Sequence, residues 1–274
     1  MNYVDSGKTP GYVNQRDIQK RQQEIKNASV FSVWKHMGYR VENNSIFDIG
    51  NTSGVSQNNS FLMGHSILLT DKILVNRVNR EVAPGLPKYV LKWLPFLSTE
   101  TLYGRREDNA RIEELFFKHI NGPRSSEPLF YYLHLLLPHE SYYYDSSGRE
   151  VPPEIFNKPN AWENRSDFVS YVKYTNAKIR SIVKSIREKR PAAVIVLLSD
   201  HGYRYYNESD DFQAARFNNI CAVYFPNKNY GSIEAPLTNI NLFPYLFATQ
   251  YGQRPAYREN RLISVHFENT DIVP

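Results

Sequence analysis

The chain has 274 residues, with 33 lysines and arginines against 28 aspartates and glutamates, one cysteine and 41% hydrophobic residues. This length fits one large domain or two small ones, and 14% aromatic residues with a net charge of only +5 exclude an intrinsically disordered chain. The single cysteine excludes an internal disulfide and a cysteine-based zinc site, and no run of about 20 apolar residues is present to cross a membrane.

The N-terminal part of the chain carries the weaker secondary-structure signals. A polar helix is predicted from residue 15, and its apolar stripe continues to Met37, where Gly38 indicates the helix end. Short strands are predicted within residues 39–49, followed by a polar loop. Prolines interrupt the apolar stretches beyond this loop, and we therefore predict an insertion or lid at residues 50–110.

The second half of the chain carries stronger patterns. Apolar runs bounded by proline or loops predict strands, and apolar residues three and four positions apart predict helices. In chain order we predict a helix at 109–121, a strand at 128–138, a helix at 167–189, strands at 192–198 and 220–225, and a helix at 242–248. A strand, a long connection with a helix and another strand are typical of a parallel sheet. The predicted fold class is α/β, a mainly parallel sheet sandwiched by helices.

Two histidines and an aspartate follow the predicted strands of this sheet. Functional residues of such sheets lie beyond the carboxyl ends of the strands, which here directs attention to His139 and to the sequence around Asp200 and His201. Carboxylate and imidazole groups bind divalent metals, and Gly202 permits the sharp turn that would let both side chains reach one ion. The alternative is an aspartate that caps the next helix beside a loop histidine. We interpret His134, inside the apolar run, as a hydrogen-bonded core histidine.

The segment at residues 197–202 (LLSDHG) resembles the C-terminal metal-binding signature of the sulfatase and alkaline phosphatase superfamily. It is most similar to the branch that contains sulfatase-like membrane proteins, lipoteichoic acid synthases and phosphoethanolamine transferases. Residues 132–139 (YLHLLLPH) resemble the strand that ends in a substrate-facing histidine. The neighbouring elements resemble the family from residue 129 to about residue 251.

This resemblance implies an alkaline phosphatase-like fold and a metal-dependent hydrolase or transferase that acts on phosphate or sulfate esters. Asp200 and His201 would bind a divalent metal ion, either Mn²⁺, Zn²⁺, Ca²⁺ or Mg²⁺. His139 would contact the ester group or protonate the leaving group. The implied substrate is a phosphate or sulfate ester of a lipid or glycan, and the scattered positive charge argues against a nucleic-acid partner.

The N-terminal residues depart from the family pattern. Family members begin with a strand that delivers an acidic metal ligand, followed by a Thr, Ser or formylglycine nucleophile, whereas residues 2–23 are polar and no apolar strand precedes them. Ser6 and Thr9 do not lie in the expected context. We therefore expect residues 1–274 to form one sulfatase-like domain, truncated before its nucleophile segment and inactive or nearly so.

Location and membrane association are implied only by the resemblance. The catalytic domain of this branch lies outside the cytoplasmic membrane, which implies a periplasmic or extracytoplasmic position for the full-length protein. The membrane would be contacted only through the missing N-terminal region, and this chain is expected to be soluble. The alternative function is a non-catalytic binding or scaffold domain with a vestigial site. Its tyrosine-rich loops, residues 142–144 and 203–206, would then contact a carbohydrate or partner, unless these tyrosines pack beneath the loop that covers the cleft.

Overall fold

The computed structural model describes residues 24, 26–55, 100–156, 158, 160–203, 218–232 and 238–259, with residues 100–105 described by their backbone only. In chain order its elements are α1 (Ser29–His36), β1 (Arg40–Asn44), α2 (Glu100–Asn121), β2 (Leu129–Leu133), α3 (Pro153–Phe156), α4 (Arg165–Lys189), β3 (Ile195–Leu198), β4 (Cys221–Tyr224) and α5 (Leu242–Tyr251). The predicted α/β class is confirmed. The helix start predicted at residue 15 and residues 56–99 of the predicted lid lie outside the described residues.

The limits of α4 and α5 lie within three residues of the predicted ones, whereas α2 begins at Glu100, nine residues before the predicted start at 109, and α3 was not predicted. The Asn164 side chain caps α4 by accepting hydrogen bonds from the amides of Ser166 (3.0 Å) and Asp167 (3.4 Å). This helix ends at Lys189, just before Pro191, which cannot continue it. Gly38 follows α1 at a φ of +82°, a left-handed conformation that glycine adopts without steric cost. None of the helices within the described ranges is both long and apolar enough to cross a bilayer.

The strands form two pairs of opposite orientation. β1 and β2 are parallel, with Arg40 opposite Leu129, and the long connection between them contains α2. β3 and β4 are antiparallel, with Ile195 opposite Tyr224. Within the described residues the predicted mainly parallel sheet is therefore not confirmed, because the strands form two separate two-stranded sheets, one parallel and one antiparallel.

β2 is shorter than the apolar run that contains it, because the chain leaves the sheet after Leu133. Asn109 of α2 holds the departing segment at Leu136: its side-chain oxygen accepts from the Leu136 amide (2.7 Å), and its amide donates to the Leu136 carbonyl (3.3 Å). A continuous run of apolar residues predicts a longer strand. The backbone N–H and C=O of Leu136 instead form hydrogen bonds with Asn109, a buried asparagine on α2. The segment that follows β2 is thereby tied to α2 at Leu136.

The described core consists of separate clusters around the helices. α5 covers β4 through Phe225, Leu242, Tyr245 and Leu246, and Ile182 of α4 packs with Phe116 and Ile120 of α2. The third cluster comprises Tyr142, Tyr143, Phe156 and Tyr171, each at most 7% exposed. Its first two members, Tyr142 and Tyr143, belong to one of the tyrosine-rich loops and are buried against α3 and α4. Residues 204–206 of the other loop lie outside the described residues.

Tyr171 provides a direct test of this third cluster. The side chain is fully buried, and its hydroxyl has no hydrogen-bond partner within the described part of the chain. Burial accordingly raises the pKa of Tyr171. We expect Tyr171→Phe to leave the free energy of unfolding unchanged or raise it by up to about 1 kcal/mol, because it removes a desolvated, unpaired hydroxyl.

The matched control is Tyr142→Phe in the same cluster. The Tyr142 hydroxyl donates to the Trp162 carbonyl at 2.8 Å, and its removal should lower the free energy of unfolding by about 1 kcal/mol. Urea unfolding of both variants measures the difference. Equal losses of stability in the two variants would contradict this description of Tyr171.

Candidate functional site

The loops after β2 and β3 meet at the start of α4. The ring of Phe168 lies 5.9 Å from that of Tyr142 in the first loop and 4.3 Å from that of Tyr203 in the second. The Tyr203 hydroxyl also donates to the Glu163 carbonyl at 3.4 Å, just before α4 begins. The N-terminal turn of α4 thus fixes the two segments that carry the predicted site residues.

The charge of Asp200 acts on the end of β2. Burial raises the pKa of Tyr132, and the carboxylate of Asp200 raises it further. Burial lowers the pKa of His134, and the carboxylate of Asp200 partly offsets this effect. The carboxylate that follows β3 therefore lies within electrostatic reach of the end of β2.

Asp200 and His201 follow β3 as adjacent residues, and their side chains converge. The Asp200 Oδ1 atom accepts the backbone N–H of His201 (3.0 Å), while Asp200 Oδ2 lies 3.8 Å from His201 Nε2. The Asp200 side chain is 75% exposed and that of His201 is 33% exposed. Neighbouring side chains point to opposite faces of a regular strand. Here the chain turns as it leaves β3, so the side chains of Asp200 and His201 can face the same position.

The orientation of the His201 ring determines which of its two nitrogens faces the Asp200 carboxylate. His201 Nδ1 lies 2.6 Å from the carbonyl oxygen of Gly202, so we assign the proton to Nδ1 as the donor. Nε2 then carries the lone pair. A backbone carbonyl that accepts from one ring nitrogen while the other binds a metal is the usual arrangement of histidine ligands.

Two asparagines hold the residue before this pair. The side-chain amides of Asn219 and Asn239 donate to the Ser199 carbonyl at 2.8 and 3.1 Å, and Asn219 also donates to the Asn239 side-chain oxygen at 3.0 Å. The Ser199 hydroxyl accepts from the Ile220 amide at 2.9 Å. We call Asn219 and Asn239 the asparagine clamp. It fixes the backbone at the point where Asp200 leaves the sheet.

The clamp predicts an effect on metal affinity without loss of a ligand. We expect Asn219→Ala or Asn239→Ala to lower Mn²⁺ affinity by about 10-fold, the low end for residues that orient a ligand. Isothermal titration calorimetry measures the affinity. The control is Asn227→Ala, whose exposed side chain pairs with Gln250 at 3.1 Å instead. If Asn219→Ala and Asn239→Ala both leave the Mn²⁺ affinity unchanged, hydrogen bonds from these asparagines to the Ser199 carbonyl do not position the metal ligands.

His139 lies in the loop after β2 with its ring fixed by the next residue. Its Nδ1 atom is 2.7 Å from the Glu140 carbonyl oxygen and 3.1 Å from the Glu140 carboxylate. Both neighbours accept a hydrogen bond, so we assign the proton to Nδ1 and the lone pair to Nε2. The Glu140 carboxylate also stabilises the ring when it is doubly protonated. This is the arrangement of a general acid or of a cationic contact for an anion.

The prediction that His134 is a hydrogen-bonded core histidine is wrong in one respect. The ring stacks on Phe47 with a centroid distance of 5.1 Å, but its buried Nδ1 atom has no hydrogen-bond partner in the described part of the chain. The backbone amide of His134, just beyond the end of β2 at Leu133, donates to the Asn44 carbonyl at 3.1 Å. His134 thus presents an unpaired nitrogen beside the electrostatic influence of Asp200.

The side chains of Asp200 and His201 fit a divalent cation as two of its ligands. Ligand atoms about 2.0–2.2 Å from a metal lie about 3–4 Å apart, and Oδ2 and Nε2 are separated by 3.8 Å. The chemistry of the pair, one carboxylate oxygen and one imidazole nitrogen, suits Zn²⁺ or Mn²⁺. Among the described residues no group of three or more His, Cys, Asp or Glu side chains is placed to hold a metal.

Comparison with known proteins assigns the chain to a family. The family model for sulfatases matches residues 3–257, which is most of the chain. The chain therefore belongs to the sulfatase family, whose fold is α/β and alkaline phosphatase-like and whose members act on sulfate or phosphate esters. Neither the curated proteins nor the solved structures contain a significant match.

Proposed function

We propose that this chain carries the metal-binding side of a hydrolase or transferase for sulfate or phosphate esters, with Asp200 and His201 as metal ligands and His139 at the ester. The observation that carries the proposal is the convergence of Asp200 Oδ2 and His201 Nε2, 3.8 Å apart, at the end of β3 in a sulfatase-family chain. Adjacent side chains that converge on one point at a strand end are what chelation of a single cation requires.

Each of the three side chains has a defined task in this proposal. A bound divalent cation supplies positive charge that stabilises the ester oxygens and lowers the pKa of a nucleophile or water. Asp200 contributes a carboxylate, and the Gly202 carbonyl keeps the His201 proton on Nδ1 so that Nε2 binds. His139 contacts the ester group or donates its Nε2 proton to the leaving oxygen, and Glu140 compensates the charge of the ring. No described residue is assigned as the nucleophile.

The carrier of the ester group and the place of the reaction are further parts of the proposal. A lipid or glycan ester and a position on the outer face of the cytoplasmic membrane follow from the resemblance at residues 129–251, and both remain predictions.

The alternative is a non-catalytic binding domain with a vestigial site. It is favoured by one observation: the part of the chain that is described brings no third metal-binding side chain to Asp200 and His201. Catalytic metal sites usually have three protein ligands and an open position. The two functions differ in whether a divalent cation binds and in whether it supports turnover.

Metal removal and replacement separate these functions. Because no described residue is assigned as the nucleophile, we expect hydrolysis of p-nitrophenyl phosphate or p-nitrophenyl sulfate by the chain to be very slow, to require Mn²⁺, Zn²⁺, Ca²⁺ or Mg²⁺, and to stop after EDTA treatment and return with the cation. Metal binding without turnover would favour the vestigial site. Turnover that persists in EDTA would contradict the proposed function.

A further inference from the structure

The exposed side of α4 carries a row of positive charge that the proposed function does not use. Counted at about 100° per residue, its cations project within about 100° of one another, along about 33 Å of the helix. The acids of α4, Asp167 and Glu188, lie outside this arc. We call the row the basic face; it consists of five exposed residues, Arg165, Lys173, Arg180, Lys184 and Arg187.

The stability of α4 does not account for the basic face. Cations complement the helix dipole in the last turn, but Lys173, Arg180 and Lys184 lie 16, 9 and 5 residues before the helix ends at Lys189. Arg180 and Lys184 are four residues apart on one side of the helix, where like charges repel each other. These charges therefore lower the stability of the helix that carries them, which favours a role toward a partner.

α2 is the comparison for an ordinary solvated helix. Its exposed Glu107 and Glu114 each precede an exposed cation by four residues, an arrangement that stabilises a helix. In the basic face, the positions four residues before Lys173 and Arg180 hold an uncharged valine and an uncharged asparagine. The surface charge of α2 is thus balanced along the helix, whereas that of α4 has one sign.

The N-terminal end of the basic face borders an open groove that is rich in hydroxyl groups. Arg165 and Lys173 line this groove together with Ser146, Ser166 and Ser170. The Ser170 Oγ atom accepts from the Ser146 amide at 2.8 Å, so the Ser170 hydroxyl can donate its proton to a ligand. Cationic side chains beside serine hydroxyls are the groups with which proteins contact phosphate oxygens.

The shape of the basic face fits a planar anionic surface. The opposite side of α4 is held against α2, where Lys178 pairs with Glu113 at 2.8 Å and Ile182 is buried. α4 therefore presents a convex strip, and a plane touches a cylinder along such a strip. Val169, 44% exposed, lies in the same arc and can enter the headgroup region of a bilayer.

A nucleic acid fits the basic face less well. Proteins that bind single strands stack the bases on aromatic side chains, and no residue of α4 that projects into this arc is aromatic. Proteins that read a duplex place a helix or a strand pair inside a groove, whereas α4 is packed against α2 along its length. Charge and shape together favour a lipid surface.

We propose that the basic face of α4 binds the surface of a bilayer that contains anionic phospholipids, with lipid phosphate groups in the groove lined by Arg165 and Lys173. The inference goes beyond the proposed function and does not depend on metal binding or turnover. It also differs from the expectation drawn from the sequence, in which the membrane is contacted only through an N-terminal region.

Co-sedimentation of the whole chain with lipid vesicles tests the proposal. Each lysine or arginine near an anionic bilayer strengthens binding about 5-fold. Vesicles of phosphatidylcholine with about 30% phosphatidylglycerol should therefore bind the chain at least about 100-fold more tightly than vesicles of phosphatidylcholine alone, and about 0.5 M salt should remove most of this difference. Equal binding to the two kinds of vesicle, or binding to neither, would overturn the proposal.

A triple variant identifies the residues that bind. Lys173→Gln, Arg180→Gln and Lys184→Gln combined should weaken binding to the anionic vesicles about 100-fold, and glutamine preserves the helix because its helix propensity is similar. The conservative set Lys173→Arg, Arg180→Lys and Lys184→Arg keeps the charge and should bind as the native chain does. Native affinity of the glutamine variant would contradict the proposal.

A second triple variant separates the basic face from the net charge of the chain. Arg111→Gln, Lys118→Gln and Lys228→Gln remove the same charge from exposed residues outside α4 and should weaken vesicle binding less than about 5-fold. Equal losses in the two glutamine variants would assign the attraction to net charge and overturn the proposal. Duplex DNA that binds the native chain more tightly than the anionic vesicles do would also overturn it, in favour of a nucleic-acid partner.

Discussion

Asp200→Ala is expected to lower the affinity for Mn²⁺ by about 100-fold or more and to abolish metal-dependent turnover. The estimate follows from the loss of a direct ligand, which must exceed the loss of about 10–100-fold caused by changes to the residues that orient ligands. The Asp200 side chain is 75% exposed and contributes no packing to the core, so the variant should fold normally. Isothermal titration calorimetry with Mn²⁺, supported by thermal unfolding with and without the ion, measures the effect.

The control for this variant is Glu188→Ala. Glu188 is also an exposed acid, with 58% of its side chain accessible, and among the described residues its ion pair is with Lys184 on the surface of α4. The Glu188→Ala substitution removes one negative charge and leaves β3 and the loop after it unchanged. If Asp200→Ala and Glu188→Ala have the same Mn²⁺ affinity as the native chain, Asp200 is not a metal ligand.

His139→Gln is expected to lower kcat by about 10²–10⁴-fold while leaving Mn²⁺ affinity unchanged. The range is that of a positioned general acid, and glutamine retains a hydrogen-bonding group but cannot transfer a proton. Glu140→Gln should have a smaller effect on kcat, because it leaves the ring in place and removes only the carboxylate at 3.1 Å. Steady-state kinetics with p-nitrophenyl esters measures both variants.

A second readout for His139 does not depend on turnover. Binding of inorganic phosphate to the Mn²⁺-loaded chain should weaken about 10-fold in His139→Gln if the ring contacts the ester group, since a hydrogen bond to a charged group contributes about 1.5–3 kcal/mol. The matched control is His119→Gln. His119 Nδ1 lies 3.1 Å from the Glu42 carboxylate, the same spacing as in the His139–Glu140 pair, but it lies on α2. Equal behaviour of the two variants would contradict a role for His139.

The helices were the part of the fold that the sequence predicted best. Helical spacing placed α4, predicted at 167–189, close to its observed limits, and α5 was found in the same way. The extent of β2 was predicted too long, because an apolar run does not reveal that Asn109, from a different element, satisfies the backbone at Leu136. The direction of β4 is set by pairing with a distant strand, which periodicity alone does not determine.

Asp200, His201 and His139 could be selected from the sequence because each follows a predicted strand, and strand ends position functional groups. Asn219 and Asn239, which hold Ser199, carried no such signal. They lie 20 and 40 residues further along the chain and act on a backbone carbonyl, a contact that no local pattern encodes. The role of Glu140 was missed although it is adjacent to His139, because only the folded geometry shows its carboxylate beside Nδ1.

The central claim is that Asp200 and His201 bind one divalent cation together. The most direct measurement is anomalous scattering from crystals of the chain soaked with Mn²⁺. The account predicts a peak about 2.0–2.2 Å from both Asp200 Oδ2 and His201 Nε2, the two atoms that already lie 3.8 Å apart. A well-diffracting crystal at saturating Mn²⁺ with no peak at this pair, or with a peak only at other residues, would contradict it.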